Sequence, residues 1–145
     1  MIIKKYQEGP FGIIYTQFEG QPKQAIKHLL KVQQGECVKA LFRDDIGFID
    51  IVWGENDFVT NKGFRLKHIY EKHGESIKAL GFEIEDFIPI VVQFGNFNMK
   101  KSDQDKKVYE SDQFRFVIAI DHRYDKKWLL TAFDIKTAPI KQKPL

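Results

Sequence analysis

The spacing of apolar residues predicts a helix near the start of the chain, followed by a hairpin. Apolar positions recur at helical spacing behind Pro22, whose missing N–H costs nothing in a first turn, and Gly35 is expected to end this helix. The runs Val38–Phe42 and Phe48–Trp53 are rich in strand-forming residues and flank a polar segment, 43–47. This pattern predicts two antiparallel strands joined by a short loop.

Two more helices are predicted after the hairpin. Thr60 or Asn61 can cap a helix that runs to His73, with Gly74 as the residue just past its end. A further helix is expected over about 87–94. Residues that begin and end helices therefore indicate a helical middle part of the chain.

Strand patterns dominate the last third. Three strands are predicted, over about Lys107–Ser111, Phe114–His122 and Trp128–Ile135, and an irregular tail is expected at 139–145. Because helices come first and strands cluster last, the order favours an α+β fold with a mainly antiparallel sheet.

Composition agrees with one folded domain. The chain has 145 residues, of which 43% are hydrophobic, so we expect a single domain over 1–145 with its core at about 15–135. No window is apolar for long enough to span a membrane, and no signal-peptide pattern is visible. The single cysteine, Cys37, excludes an internal disulfide and a zinc site built on several cysteines.

The charge is mildly basic. There are 23 Lys and Arg residues against 20 Asp and Glu, a formal net charge of +3. This excess bears on function only if the cations gather on one face, where they could neutralise phosphates.

The segment 63–74 carries the densest candidate chemistry. On a regular α-helix Leu66, Ile69, Tyr70 and His73 fall on one side, and Arg65, His68 and Lys72 on the other. His68 and His73 are five residues apart, about 140° around the axis, which disfavours a metal pair because that needs i,i+4 spacing. We expect no metal site.

These residue types suit cleavage of RNA through its own 2′-hydroxyl. That reaction needs a base, an acid and fixed positive charge, which two histidines and the cations Arg65, Lys67 and Lys72 can supply. The alternative is a surface helix whose cations are merely solvated or salt-bridged. Thr131 is a second candidate, because it is expected to share a strand face with Leu129 and Phe133, where a hydroxyl needs a partner. Its alternative role is that of an ordinary strand former.

Four segments in order carry a resemblance to a known family: Gly35–Arg43, Ile46–Gly54, Leu66–Gly74 and Trp128–Phe133. Together they resemble the phage-associated branch of the barnase–EndoU–colicin E5/D–RelE-like nucleases, the barnase/colicin E5-type endoribonucleases. The resemblance spans about residues 15–135.

The resemblance implies N-terminal helices packed on a curved, mainly antiparallel sheet, and RNA cleavage without a metal or any other cofactor. His68 and His73 match the paired histidines of the family's helix, and Thr131 matches the hydroxyl of its last strand. Arg115 matches a cation of the penultimate strand by position only. Phe48 departs from the small polar residue expected there, a difference that concerns packing.

The leading hypothesis is an endoribonuclease that leaves a 2′,3′-cyclic phosphate, with His68 and His73 as acid and base and with Arg115 and Thr131 holding the phosphate. The separation of about 140° between His68 and His73 requires a distorted helix or a substrate that wraps the helix end. If only one histidine is catalytic, we favour His73.

Family resemblance also implies a toxin or effector that acts in the cytoplasm, either as a free protein or as part of a larger secreted or phage-encoded one. Its expected partners are RNA, with tRNA as one candidate, and a cognate immunity or antitoxin protein, but no membrane. The alternative is a non-catalytic RNA-binding or interaction module on the same fold.

Overall fold

The computed structural model describes residues 7–9, 11–54 and 65–135. The predicted caps Thr60 and Asn61 and the tail 139–145 lie outside these residues. The helical elements of the described part are α1 Pro22–Val32, α2 Leu66–His68, a π-helical turn Ile69–His73, α3 Gly74–Ala79, α4 Ile84–Phe94 and a 3₁₀ turn Met99–Lys101. Its strands are β1 Gln7–Gly9, β2 Gly12–Tyr15, β3 Glu36–Arg43, β4 Gly47–Val52, β5 Asn96–Asn98, β6 Lys106–Glu110, β7 Phe114–Asp121 and β8 Lys126–Asp134.

The described strands form one sheet in the order β1-β2-β3-β4-β8-β7-β6-β5. The pairs β2–β3 and β4–β8 are parallel, and the other pairings are antiparallel. The α+β class is therefore confirmed, with a mixed sheet. The predicted hairpin is β3–β4, and the three predicted C-terminal strands are β6, β7 and β8.

One buried cluster unites helices and strands. It contains Ile26 and Leu29 of α1, Ile88 of α4, and Phe116 and Ile118 of β7. Cys37 belongs to it, its thiol 3.7 Å from the carbonyl oxygen of Ala25, and burial raises the pKa of this thiol to about 12. Cys37 is therefore a small core residue.

An irregularity in the pairing of β7 with β8 changes which side chains share a face. Val117 is opposite Thr131, but the next residue, Ile118, is opposite Leu129, so Leu130 is an extra residue in β8. Leu129 consequently faces the core with Ile118, whereas Thr131 points to the other side. The prediction that Leu129 and Thr131 share a face is wrong, because a bulge reverses the alternation. We call the side of Arg115, Val117, Thr131 and Phe133 the distal face.

Several predicted boundaries also shift. The first helix ends at Val32, with Gln33 in the left-handed region, and Gly35 instead allows close approach of β2: a Cβ there would lie 2.4 Å from the carbonyl oxygen of Ile13. The helix expected from residue 87 begins at Ile84. Gly74 does not end its helix, since α3 continues through it with helical backbone angles.

Candidate functional site

His68 and His73 are brought together by the π-helical turn between them. Their ring centroids are 5.7 Å apart, with the ring planes at 84°. A π turn is closed by an i→i+5 hydrogen bond and holds more residues than the 3.6 of an α-helical turn, so the fifth residue lies closer to the direction of the first than it does on an α-helix. The separation of about 140° that a regular helix would give therefore does not hold here. The π turn is the helix distortion that the two histidines need in order to meet.

The helical segment of the histidines runs beside the second half of β8. β4 pairs with β8 at Asp50 and Trp128, and beyond that point β8 has no strand neighbour on this side among the residues that the structure describes. The N–H of Arg65 donates to the carbonyl oxygen of Leu130 at 2.6 Å and thereby anchors the start of α2 to β8. This contact positions the histidines near the C-terminal end of the strand.

Phe133 is the point at which histidine and arginine converge. The His73 ring stacks on Phe133, with 5.0 Å between centroids and 23° between planes. Arg115 is the cross-strand partner of Phe133, and its guanidinium carbon lies 5.8 Å from the same ring. Two of the predicted site residues, His73 and Arg115, thus contact one aromatic side chain, and His68 adjoins them through His73.

Glu110 orients the guanidinium of Arg115. Nε of Arg115 donates to Oε2 of Glu110 at 2.5 Å, and Asn98 and Lys101 donate to the same carboxylate at 3.0 and 3.1 Å. The hydrogen bonds from Asn98, Lys101 and Arg115 lower the pKa of Glu110 to about 2. Within the described residues the terminal nitrogens of Arg115 form no hydrogen bond, so they are available to an anion.

Thr131 lies on the distal face, two residues before Phe133 and diagonally across from Arg115. Only 7% of it is exposed. Its face is therefore the one that carries Arg115, although the structure records no contact between Thr131 and either histidine. Its role in binding phosphate stays a prediction.

The predicted basic residues are divided between two environments. Lys72 is exposed beside the histidines, and its charge lowers the pKa of both. Lys67 is half-buried, and the guanidinium carbon of Arg65 lies 4.9 Å from the ring of Phe11. Leu66 and Ile69 are buried as predicted, but Tyr70 is half exposed because the π turn rotates it outwards.

Both histidines are held in their neutral forms near pH 7. Burial is the largest cause that lowers the pKa of His68, followed by the charge of Lys72, while Glu71 opposes them. Burial, then the neighbouring His68, lowers the pKa of His73, and Asp134 opposes this shift. A neutral imidazole can accept a proton, so either ring can serve as a base.

The sequence did not identify three residues as members of this site: Ser76, Phe133 and Asp134. The hydroxyl of Ser76 donates to Oδ1 of Asp134 at 2.7 Å and lies 3.1 Å from the carbonyl oxygen of His73. Asp134 is the carboxylate whose charge favours protonation of His73. The available signal was the place of Asp134 near the end of the strand that carries Thr131, where an acid can face a site.

We expect Lys72→Gln to raise the pKa of both histidines, because the variant removes a positive charge that disfavours their protonation. Titration of the imidazole NMR signals measures this shift. Lys78→Gln is the matched control, since Lys78 is an exposed lysine on α3. Equal histidine pKa values in the Lys72 variant and the native protein would contradict the placement of this charge.

The described residues contain neither a cluster of metal ligands nor a helix that could span a membrane. In the described residues no group of three or more His, Cys, Asp or Glu side chains could hold a metal ion. No helix of this part is long and apolar enough to cross a membrane.

The mixed sheet, the paired histidines and the nearby arginine define an α+β protein with a site equipped for acid–base chemistry next to an anion-binding group. The family model described as "phage-Barnase-EndoU-ColicinE5/D-RelE like nuclease1" matches residues 40–139, and the chain belongs to this family of nucleases. The resemblance seen in the sequence is thereby confirmed. Comparisons with curated proteins and with solved structures found no match.

Proposed function

We propose that the protein is a metal-independent endoribonuclease that cleaves RNA through a 2′,3′-cyclic phosphate. The observation that carries the proposal is the π turn, which sets two histidines 5.7 Å apart, with His73 stacked on the same phenylalanine that Arg115 contacts. Membership in a nuclease family supports the same chemistry.

The cleavage step assigns one role to each group. One histidine, in its neutral form, accepts the proton of the 2′-hydroxyl as that oxygen attacks the phosphorus. The other, in its protonated form, donates its proton to the departing 5′-oxygen. Arg115 stabilises the negative charge that builds up on the non-bridging oxygens, and Thr131 binds one of them. If a single histidine dominates, it is His73, because His73 contacts the β8 residue opposite Arg115.

The biological setting is proposed from the family. A phage-associated nuclease fits a toxin or effector that acts on RNA, including tRNA, in the cytoplasm and is held in check by a cognate immunity protein. The proposal includes the curved sheet and the barnase-like arrangement of helices on it that the family implies. Lys67 and Lys72 beside the histidines fit a polyanionic partner.

Cleavage of a labelled RNA in the presence of excess EDTA tests the proposal. We expect the RNA to be shortened, to carry 2′,3′-cyclic phosphate ends, and to resist cleavage where the 2′-hydroxyl is replaced by hydrogen. A deoxy position that is cut as fast as the ribose position would refute the mechanism. Retarded but uncut RNA on a gel would identify the non-catalytic RNA-binding module instead.

A further inference from the structure

A second recess lies at the opposite end of β8 from the histidines. It is an open pocket of about 430 Å³ between the β3–β4 hairpin and the turn that precedes β8. Lys39, Phe48 and Asp50 line it from the hairpin side, and Tyr124 and Lys127 line it from the other. None of these residues belongs to the site proposed above.

The strand register places the floor of this pocket on the distal face. In β7, Ala119 follows Val117 by two residues and therefore faces the same way, and its partner in β8 is Trp128. Trp128 is in turn opposite Asp50 of β4. The pocket and Phe133 thus share one sheet face, and the six steps of β7 from Arg115 to Asp121, the partners of Phe133 and Lys126, separate them by roughly 20 Å.

The charges in the pocket leave two ammonium groups unpaired. Asp50 accepts a hydrogen bond from the N–H of Lys39 at 2.7 Å and is paired with Nζ of Lys126, which also contacts Glu36 at 2.5 Å. The ammonium groups of Lys39 and Lys127 have no carboxylate partner among the residues described. Asp50 lines the pocket with its charge paired, and these two cations are available to phosphates. Asp125, at the rim, adds a carboxylate that can accept hydrogen bonds from a base or a ribose.

Two aromatic rings are exposed beside these cations. Tyr124 is 68% exposed and Phe48 39% exposed, and Nζ of Lys39 lies 5.8 Å from the centroid of the Phe48 ring. Aromatic rings interleaved with lysines are the combination by which proteins hold single-stranded nucleic acid: bases stack on the rings and the cations neutralise the backbone.

We propose that this pocket binds a nucleotide of the single-stranded RNA substrate, several nucleotides away from the phosphate at the histidines. The inference rests on the proposed function, because it assigns the pocket to the same strand of RNA. It predicts that a strand long enough to reach both places binds better than one confined to either.

The test compares a dinucleotide with a strand of about ten nucleotides, both 2′-O-methylated so that neither can be cut. We expect the longer strand to bind native protein more tightly, and Tyr124→Ala to reduce this advantage about five-fold or more, the effect of losing one stacked base. Phe94→Ala is the matched control, since Phe94 is 69% exposed and lies on α4. Lys39→Asn, a residue type that tolerates the left-handed backbone of Lys39, should reduce the advantage as well.

An unchanged advantage of the longer strand in folded Tyr124→Ala would overturn the proposal, as would an equal loss in Phe94→Ala. The folding of Tyr124→Ala is checked by its thermal melting. Cleavage of unmodified RNA separates the two proposals. If Tyr124→Ala reduces the advantage of the longer strand but the native protein cuts no RNA, the pocket is supported and the nuclease is refuted. If the native protein cuts RNA but Tyr124→Ala leaves the advantage of the longer strand unchanged, only the pocket is refuted.

Discussion

Replacing His73 by alanine should lower the rate of RNA cleavage by about 100-fold or more, the loss expected for an acid–base group. The imidazole of His73 is stacked on Phe133, the ring that the Arg115 guanidinium also contacts. Among the described residues, His73 is the histidine that contacts both His68 and β8. Single-turnover cleavage of a saturating RNA measures the effect, because it isolates the chemical step from product release.

His68→Ala should be equally severe if the two rings act as base and acid. An effect on KM with kcat unchanged would instead assign His68 to RNA binding. His122→Ala is the control, because His122 is exposed in the turn before β8, where its Nε2 lies 2.6 Å from the carbonyl oxygen of Gln104. A folded His73→Ala protein that keeps more than about a tenth of the native rate would contradict the assignment.

The sequence was sufficient for the elements that have strong periodicity. The first helix, the β3–β4 hairpin and the three C-terminal strands are long enough for their apolar spacing to show, and all lie close to their predicted places. The strands β1, β2 and β5 were not predicted, since runs of three or four residues show too little alternation to stand out from loops.

Local irregularities decided how much of the site could be predicted. His68, His73 and Arg115 were selected from the sequence, and in the structure His73 and Arg115 contact Phe133 while His68 contacts His73. Their geometry was not predictable, because a π turn adds a residue to a turn without altering which residues are apolar. The bulge at Leu130 is invisible for a related reason: the strand pattern reads continuously through it, yet the faces exchange.

The pairing of the histidines through the π turn leads to a prediction about chain length. Inserting one alanine between Glu71 and Lys72 places an extra residue between the rings, and on a helix each residue turns the direction by about 100°. Deleting Glu75, an exposed residue of α3, in the same variant keeps Ile77 in register with the core. We expect this variant to fold with native stability and to lose RNA cleavage by about 100-fold or more, as His73→Ala does.

The opposite change is the matched control. Deleting Glu71 and inserting an alanine after Gly74 leaves His68 and the shifted histidine four residues apart, a spacing that an ordinary α-helix places on one face. This variant should keep most of the native activity although the π turn is gone, whereas Glu71→Ala alone tests the loss of the Glu71 charge near His68. Full activity in the inserted variant would show that cleavage does not depend on the contact between the two rings. Equal loss in both length variants, with both folded, would contradict the expectation that this contact is sufficient without the π turn. Loss in the inserted variant alone would show that this contact, and not the π turn as such, is what the site requires.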